Sequence, residues 1–388
     1  MSAGVTRRLG PTGGLRWQVA THWGVYGSYL EALERRLATG RLPSGQSVRI
    51  DEAFIPLRLR PWSPSAEGRW SVTSGTPLVT LDEALDAHRH VLLIGPAGTG
   101  KSTLVRWQAV SAARAARQVG RRALLLDGGP PSLPVYIDGA DLPPEGDLAS
   151  VCARIVAGLA GDGGEALFAN HLAAGRATLL FDGLDTVPPD ARRRVAERVR
   201  ELVQRHPTVR VVVAMRDAAD AAHLSDFTVL EVAGVDPGEV ETLVARWGQR
   251  SGADQQAFLQ VIERSVLVRS LVARPGWLAA GLSRAMGARL RAYDVVGNFV
   301  AFIDPDGVAA FARLALAMHS AGTDVGHADD VPAGKRGSGL LWWLSDDRFT
   351  FVHASAQAYL AAAAVAEDFA QQRASLVDRA SDPWWQPV

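Results

Sequence analysis

The sequence predicts an α/β fold with a parallel central sheet, and three observations carry that expectation. A glycine-rich run, Gly95-Pro96-Ala97-Gly98-Thr99-Gly100-Lys101-Ser102, matches G-x-x-x-x-G-K-[ST] in full. It stands between an apolar stretch over 90–94 that reads as a buried strand and a stretch over 102–110 that reads as a helix, the setting a phosphate loop needs. From 78 to 232, further apolar runs at 133–137, 177–181, 209–215 and 228–232 alternate with helical stretches. Nearly unbroken apolar runs separated by helices indicate parallel strands covered on both faces.

The other elements follow in order. Tyr29, Leu30, Leu33 and Leu37 fall at helical spacing, with Gly40 as a stop signal. Short extended pieces over 48–51 and 54–59 come next, then a linker over 61–77 rich in Pro, Ser, Gly and Trp. A helix over 191–206 puts Val195, Val199, Leu202 and Val203 on one face and six arginines on the rest. Interspersed Glu197 and Glu201 favour a solvated face there over a nucleic-acid patch. Beyond 232 the pattern turns helical. Asp236-Pro237-Gly238-Glu239 is a helix start, with an acceptor at the N-cap, proline at N1 and glutamate at N3. Val240, Leu243, Val244 and Trp247 form its apolar stripe. Further helical patterns run over 258–271, 276–286 and 308–318, and the polar, glycine-rich stretch 322–339 reads as an exposed loop.

Composition bounds the function. A chain of 388 residues exceeds one compact core and predicts several domains. Zero formal net charge argues against bulk nucleic acid or an anionic membrane as the main partner. No apolar run approaches a membrane span, and 1–14 lacks the apolar centre of a signal peptide. The lone cysteine, Cys152, fits a reducing cytoplasm and reads as a small buried hydrophobe.

The phosphate loop predicts a nucleoside-phosphate site. Its glycines let backbone N–H groups turn inward around phosphate oxygens, and the helix N-terminus at Ser102 and Thr103 adds positive potential. Lys101 is one of only two lysines among 41 basic residues, and its compact ammonium suits the β- and γ-phosphates better than an arginine fork would. Ser102 offers a hydroxyl to Mg²⁺. Asp182 follows the apolar strand 177–181, where an acid can hold the same ion, and Asp185 lies one short turn on. Arg216 closes the next strand, where it either senses a γ-phosphate or pairs with Asp217 on the surface. No Asn-Lys-x-Asp guanine reader occurs, which favours ATP or ADP. The loop alone leaves kinase, GTPase, transporter ATPase and switch open.

Several blocks in order resemble one family. They are Val79-Thr80-Leu81-Asp82-Glu83-Ala84-Leu85, then Leu133-Pro134-Val135, then Gly175-Arg176-Ala177 leading into Phe181-Asp182-Gly183-Leu184-Asp185. Ala273-Arg274-Pro275-Gly276-Trp277-Leu278 and Phe349-Thr350-Phe351-Val352-His353-Ala354-Ser355-Ala356-Gln357-Ala358-Tyr359 complete the set. Together they resemble a NACHT module, a branch of the STAND class of P-loop ATPases, in the manner of bacterial NLR-like signalling proteins. The resemblance implies an N-terminal helix and lead-in over 1–75, a nucleotide-binding domain over 76–232 and a small helical domain over 233–290. A winged-helix domain over 291–370 and the start of a truncated C-terminal region over 371–388 would follow. It implies Pro275 near adenine, His353 on the β-phosphate, and Phe54-Ile55-Pro56-Leu57 as an adenine-contacting lead-in. A plain core histidine is the alternative for His353. Function would be a slow ATPase switch, cytoplasmic, that self-associates when activated, answers an unknown sensor ligand and drives an unknown effector, with defence among the outputs. A turnover remodelling ATPase and a scaffold with structural nucleotide are the rivals. Two departures stand out: Thr186 where the family has glutamate, which implies slow hydrolysis, and Ala358 in place of another glutamate.

Overall fold

The computed structural model describes residues 11–41, 47–62, 78–123, 131–143, 145–184, 187, 189–216, 223–251, 254–283, 291–343 and 347–368. The chain opens on α1 (Pro11–Leu37), which buries Tyr26, Tyr29, Leu30 and Leu33. Tyr29 donates its phenol proton to the carbonyl of Pro134 at 2.7 Å, fixing this helix to the sheet region. A ribbon of β1 (Thr39–Arg41) and antiparallel β2 (Ser47–Arg49) follows, then α2 (Ile50–Ala53) and β3 (Leu59–Pro61). The piece expected to be extended over 48–51 thus turns helical at Ile50, where Asp51 and Glu52 sit in the first turn and complement the helix dipole. Of the expected linker, 63–77 lies outside the described residues. Next comes α3 (Leu81–Ala87), started by a capping box in which Thr80 and Glu83 satisfy each other's backbone N–H.

The sheet region alternates as the apolar runs predict: β4 (His90–Ile94), α4 (Lys101–Ala123), β5 (Leu133–Asp138), α5 (Leu148–Ala160), α6 (Gly164–Ala173), β6 (Ala177–Asp182), α7 (Pro189–Arg205), β7 (Arg210–Ala214) and β8 (Thr228–Val232). Strand order is β3-β8-β4-β7-β6-β5, parallel from β8 to β5, with β3 antiparallel on the edge. Because β7 lies between β4 and β6, three adjacent strands release the phosphate loop, Arg216 and Asp182 at one sheet edge. That is where ligands bind in open α/β sheets. Four of the six α7 arginines pair with acids, Arg193 with Glu197, Arg194 with Glu145, Arg200 with Asp226 and Arg205 with Asp147, while Arg192 and Arg198 donate to the carbonyls of Val187 and Pro143. Cys152 is buried in the core, and burial pushes its thiol up to about 12.

Helices then dominate: α8 (Pro237–Ser251), α9 (Gln255–Arg264), α10 (Val266–Val272), α11 (Pro275–Ser283), α12 (Ala292–Ile303) and α13 (Gly307–Ser320). Asp236 and Glu239 cap α8 reciprocally, as its sequence predicts. The helical pattern expected over 258–271 breaks at Ser265, whose hydroxyl accepts from Val268 N and starts a new helix. The stretch expected as a loop contains β9 (Val325–His327), which joins β10 (Leu341–Trp343) and β11 (Arg348–Phe351) in an antiparallel sheet of order β10-β11-β9. Three residues are too few to show alternation. The described chain closes on α14 (Ala354–Glu367). Two apolar cores result, and α11 borders both. Leu278, Ala279 and Leu282 pack into the first, Trp277 and Ala280 into the second with Phe299, Phe311 and Phe351.

Candidate nucleotide site

A cavity of about 390 Å³ opens where the three strands end, within the size range of small-molecule sites. Its polar lining comes from Lys101, Ser102, Thr103, Arg106, Asp182 and Arg216, beside Ala97, Gly98 and Gly100 of the loop. Its apolar lining comes from Phe54, Ile55 and Leu57 of the lead-in, Leu243 and Trp247 of α8, and Pro275 and Ala279 of α11, with Leu57 lying directly against Gly100. The polar groups suit a phosphate chain and the apolar ones an aromatic base.

Physical reasons place each polar group. Lys101 is buried at the first position of α4 and donates to the carbonyls of Gly95 and Pro96, so its ammonium sits inside the loop. Thr99 closes the turn by donating its hydroxyl to Pro96 O at 2.9 Å. The first N–H groups of α4 have no intrahelical partner, which makes this end an anion site. Gly98 has φ of +81°, and a Cβ there would stand 2.7 Å from Nε1 of Trp277, so the loop admits only glycine at this point. α11 docks on it directly. Gly276 N donates to Gly98 O at 2.8 Å, and Trp277 Nε1 donates to Ala97 O at 3.1 Å.

Asp182 is buried at the end of β6. Its Oδ2 accepts the phenol proton of Tyr136 at 2.6 Å, while Oδ1 is buried without a hydrogen-bond partner. An orphaned buried carboxylate oxygen is costly unless something pairs with it. Ser102 lines the same cavity, so the donor set fits a Mg²⁺ held by one hydroxyl and one carboxylate, with phosphate and water supplying the rest. Among the described residues, no group of three or more His, Cys, Asp or Glu could hold a metal.

Of the predicted site residues, Ala97, Gly98, Gly100, Lys101, Ser102, Thr103, Asp182, Arg216 and Pro275 come together on the cavity wall. Gly95, Pro96 and Thr99 shape the loop behind it. Asp185 and Thr186 lie outside the described residues. His353 stands one side chain back: its ring lies against Trp277, centroids 5.3 Å apart, and its Nδ1 accepts from Ser355 N as the cap of α14. Enclosure, with the Arg274 charge nearby, holds its imidazole far below the usual range, at about 3. Sequence reasoning missed Arg106, Tyr136 and the apolar wall from Leu37, Val48, Ile50, Leu243 and Trp247. No local motif marks these residues, and only the fold gathers them.

No curated protein matches the chain. Among solved structures it is similar to the Thermotoga maritima RuvB Holliday junction branch migration motor, at 17% identity and TM-score 0.38, covering 70% of this chain and 89% of that one. It is also similar to Drosophila ORC bound to DNA, at 17% and 0.33, covering 64% and 67%. A third is Aeropyrum pernix ORC2 in ADPNP-ADP complexes, at 12% and 0.36, covering 74% and 92%. At such scores none of these likenesses bears on function. No helix among the described residues is long and apolar enough to cross a membrane. The family model of the NACHT domain matches residues 89–251, the span that begins at β4, contains the phosphate loop and Asp182, and ends with α8. Residues 89–251 thus match a NACHT domain, and with the phosphate loop at their start this match supports a P-loop NTPase of the NACHT module.

Proposed function

We propose that the chain is a nucleotide-gated switch of the STAND type, in which ADP holds a closed form and exchange for ATP releases it toward self-association. One observation carries the reading: α11 is bonded to the phosphate loop through Gly276 and Trp277 while its other face belongs to the second core. A change at the phosphates therefore acts on a helix that the second core cannot ignore. Further support comes from Arg216. A methyl added at Gly339 would stand 3.3 Å from its Nη1 and 3.9 Å from Cβ of Ala97, so the segment before β10 approaches the same cavity.

In this reading 76–232 is the nucleotide-binding domain, 233–290 the small helical domain, and 291–370 a winged helix made of α12, α13, α14 and the β9–β11 sheet. Ser102 and Asp182 would hold Mg²⁺, which when bound offsets phosphate charge. Arg216 senses the terminal phosphate, Pro275 borders the base, and Asp185 orients water. His353 reports the nucleotide to the second core through Trp277.

The test is the nucleotide that co-purifies with the protein, combined with the mass in solution after exchange. The reading expects ADP on a monomer, a larger species with a non-hydrolysable ATP analogue, and steady-state turnover well below the ordinary enzyme range of ~1–10³ s⁻¹. Turnover within that range, with mass independent of nucleotide, would mark a remodelling ATPase instead.

A further inference from the structure

Behind the metal-side carboxylate stands a two-residue relay. Tyr136, on β5, is buried, and its phenol donates to Asp182 Oδ2 at 2.6 Å. Arg106, on α4 and lining the cavity, donates from Nε to the same phenol oxygen at 3.1 Å. A guanidinium can only donate, so the phenol oxygen must accept from Arg106, and its single proton is directed at Asp182. Such a bond to a carboxylate is charge-assisted and short.

The relay has a second consequence. Arg106 Nε lies 3.9 Å from Asp182 Oδ2, close enough to attract but beyond a hydrogen bond. Without the intervening phenol, the guanidinium could close on the carboxylate and take both oxygens in a fork. Tyr136 thus occupies Oδ2 and keeps the arginine at a distance, and Oδ1 is left buried and unpartnered.

We propose that Tyr136, oriented by Arg106, is the positioning residue that reserves Asp182 Oδ1 for the divalent cation of the bound nucleotide. The proposal rests on the nucleotide–Mg²⁺ reading of this cavity and adds a residue that does not itself line it. Partners of this kind behind a metal ligand are worth about 10–100-fold in metal affinity.

The experiment uses the full chain and its Tyr136→Phe variant, which keeps the ring and removes the hydroxyl. ADP affinity is measured by calorimetry without Mg²⁺ and then along a Mg²⁺ titration, and bound cation is counted separately with Mn²⁺ by electron paramagnetic resonance. The expected result is parental ADP affinity without metal, and an apparent Mg²⁺ affinity weakened by about 10–100-fold, with Mn²⁺ weakened in parallel. A parental Mg²⁺ titration in Tyr136→Phe, beside an Asp182→Asn variant blind to Mg²⁺, would overturn this inference alone. A parent without Mg²⁺ dependence would overturn it together with the metal reading beneath. Should Tyr136→Phe fail to fold, Arg106→Gln tests the relay from its other end, and a parental titration there would overturn it equally.

Discussion

Lys101 shows how one side chain fixes the chemistry of a site. Its ammonium is buried against the carbonyls of Gly95 and Pro96, an arrangement that holds a single positive charge where a phosphate chain enters. A lysine serves because its charge is compact, and the loop has no width for a planar fork. Lys101→Ala should abolish tight nucleotide binding while the sheet stays folded. Calorimetry with ADP checks this, and parental affinity in the variant would remove the phosphate-loop assignment. Thr186 is the other residue with a clear expectation, drawn from sequence alone because it lies outside the described residues. A hydroxyl there cannot take a proton from water as a carboxylate can, so Thr186→Glu should speed single-turnover ATP hydrolysis by at least ~10-fold, a modest share of general-base catalysis. A glutamate variant no faster than the parent would show that hydrolysis is limited elsewhere.

At the scale of elements, the decisive contact is the start of α11 against the phosphate loop. Gly276 and Gly98 approach backbone to backbone, and a Cβ at Gly276 would lie 2.7 Å from Cα of Gly98 and 2.9 Å from its carbonyl oxygen. Neither atom can move aside without opening the loop. Gly276→Ala should therefore push α11 off the loop at a cost of about 1–3 kcal/mol, the usual range for overpacking. The expected readout is faster ADP release with little change in far-ultraviolet circular dichroism, and an unchanged off-rate would mean that α11 is not coupled to the nucleotide. This contact also shows what the sequence made legible. The five parallel strands were readable because each is apolar along most of its length, and the phosphate loop and Asp182 because their spacing is local. The apolar lining was legible only in part, Phe54, Ile55, Leu57 and Pro275 through the family resemblance alone. Leu243, Trp247 and Ala279 join them from the far side of the sheet sequence, and no local pattern marks them. Short β9, β10 and β11 escaped notice for a different reason, since their pairing depends on partners across the second core rather than on alternation.

Across the whole molecule, a chain of contacts connects the cavity to the last helix. Trp277 bonds Ala97 and lies against His353, and Arg274 donates to Val352 O, so β11 and the cap of α14 are tied to the base of α11. A second tie runs through Asp304, which accepts from Lys335 at 3.0 Å and from Ser338 at 2.7 Å and so braces the segment that sets Gly339 near Arg216. His353 makes the first tie dependent on pH. Enclosure and Arg274 lower its folded-state pKa to about 3, whereas an unfolded histidine titrates near ~6.5. Below the latter value the unfolded chain binds a proton that the folded form resists. The folded form's advantage is thus complete above about pH 6.5 and declines as pH falls toward 3. Lowering pH from 7 to 5 should accelerate ADP release, and His353→Ala should release ADP faster than the parent at pH 7 while losing most of that acceleration. Stopped-flow release of a fluorescent ADP analogue at both pH values measures the two effects together. A variant with the parental off-rate at pH 7 and the parental acid response would place His353 in the core as packing only, and would leave Arg216 and the Asp304–Lys335 brace to join the second core to the nucleotide.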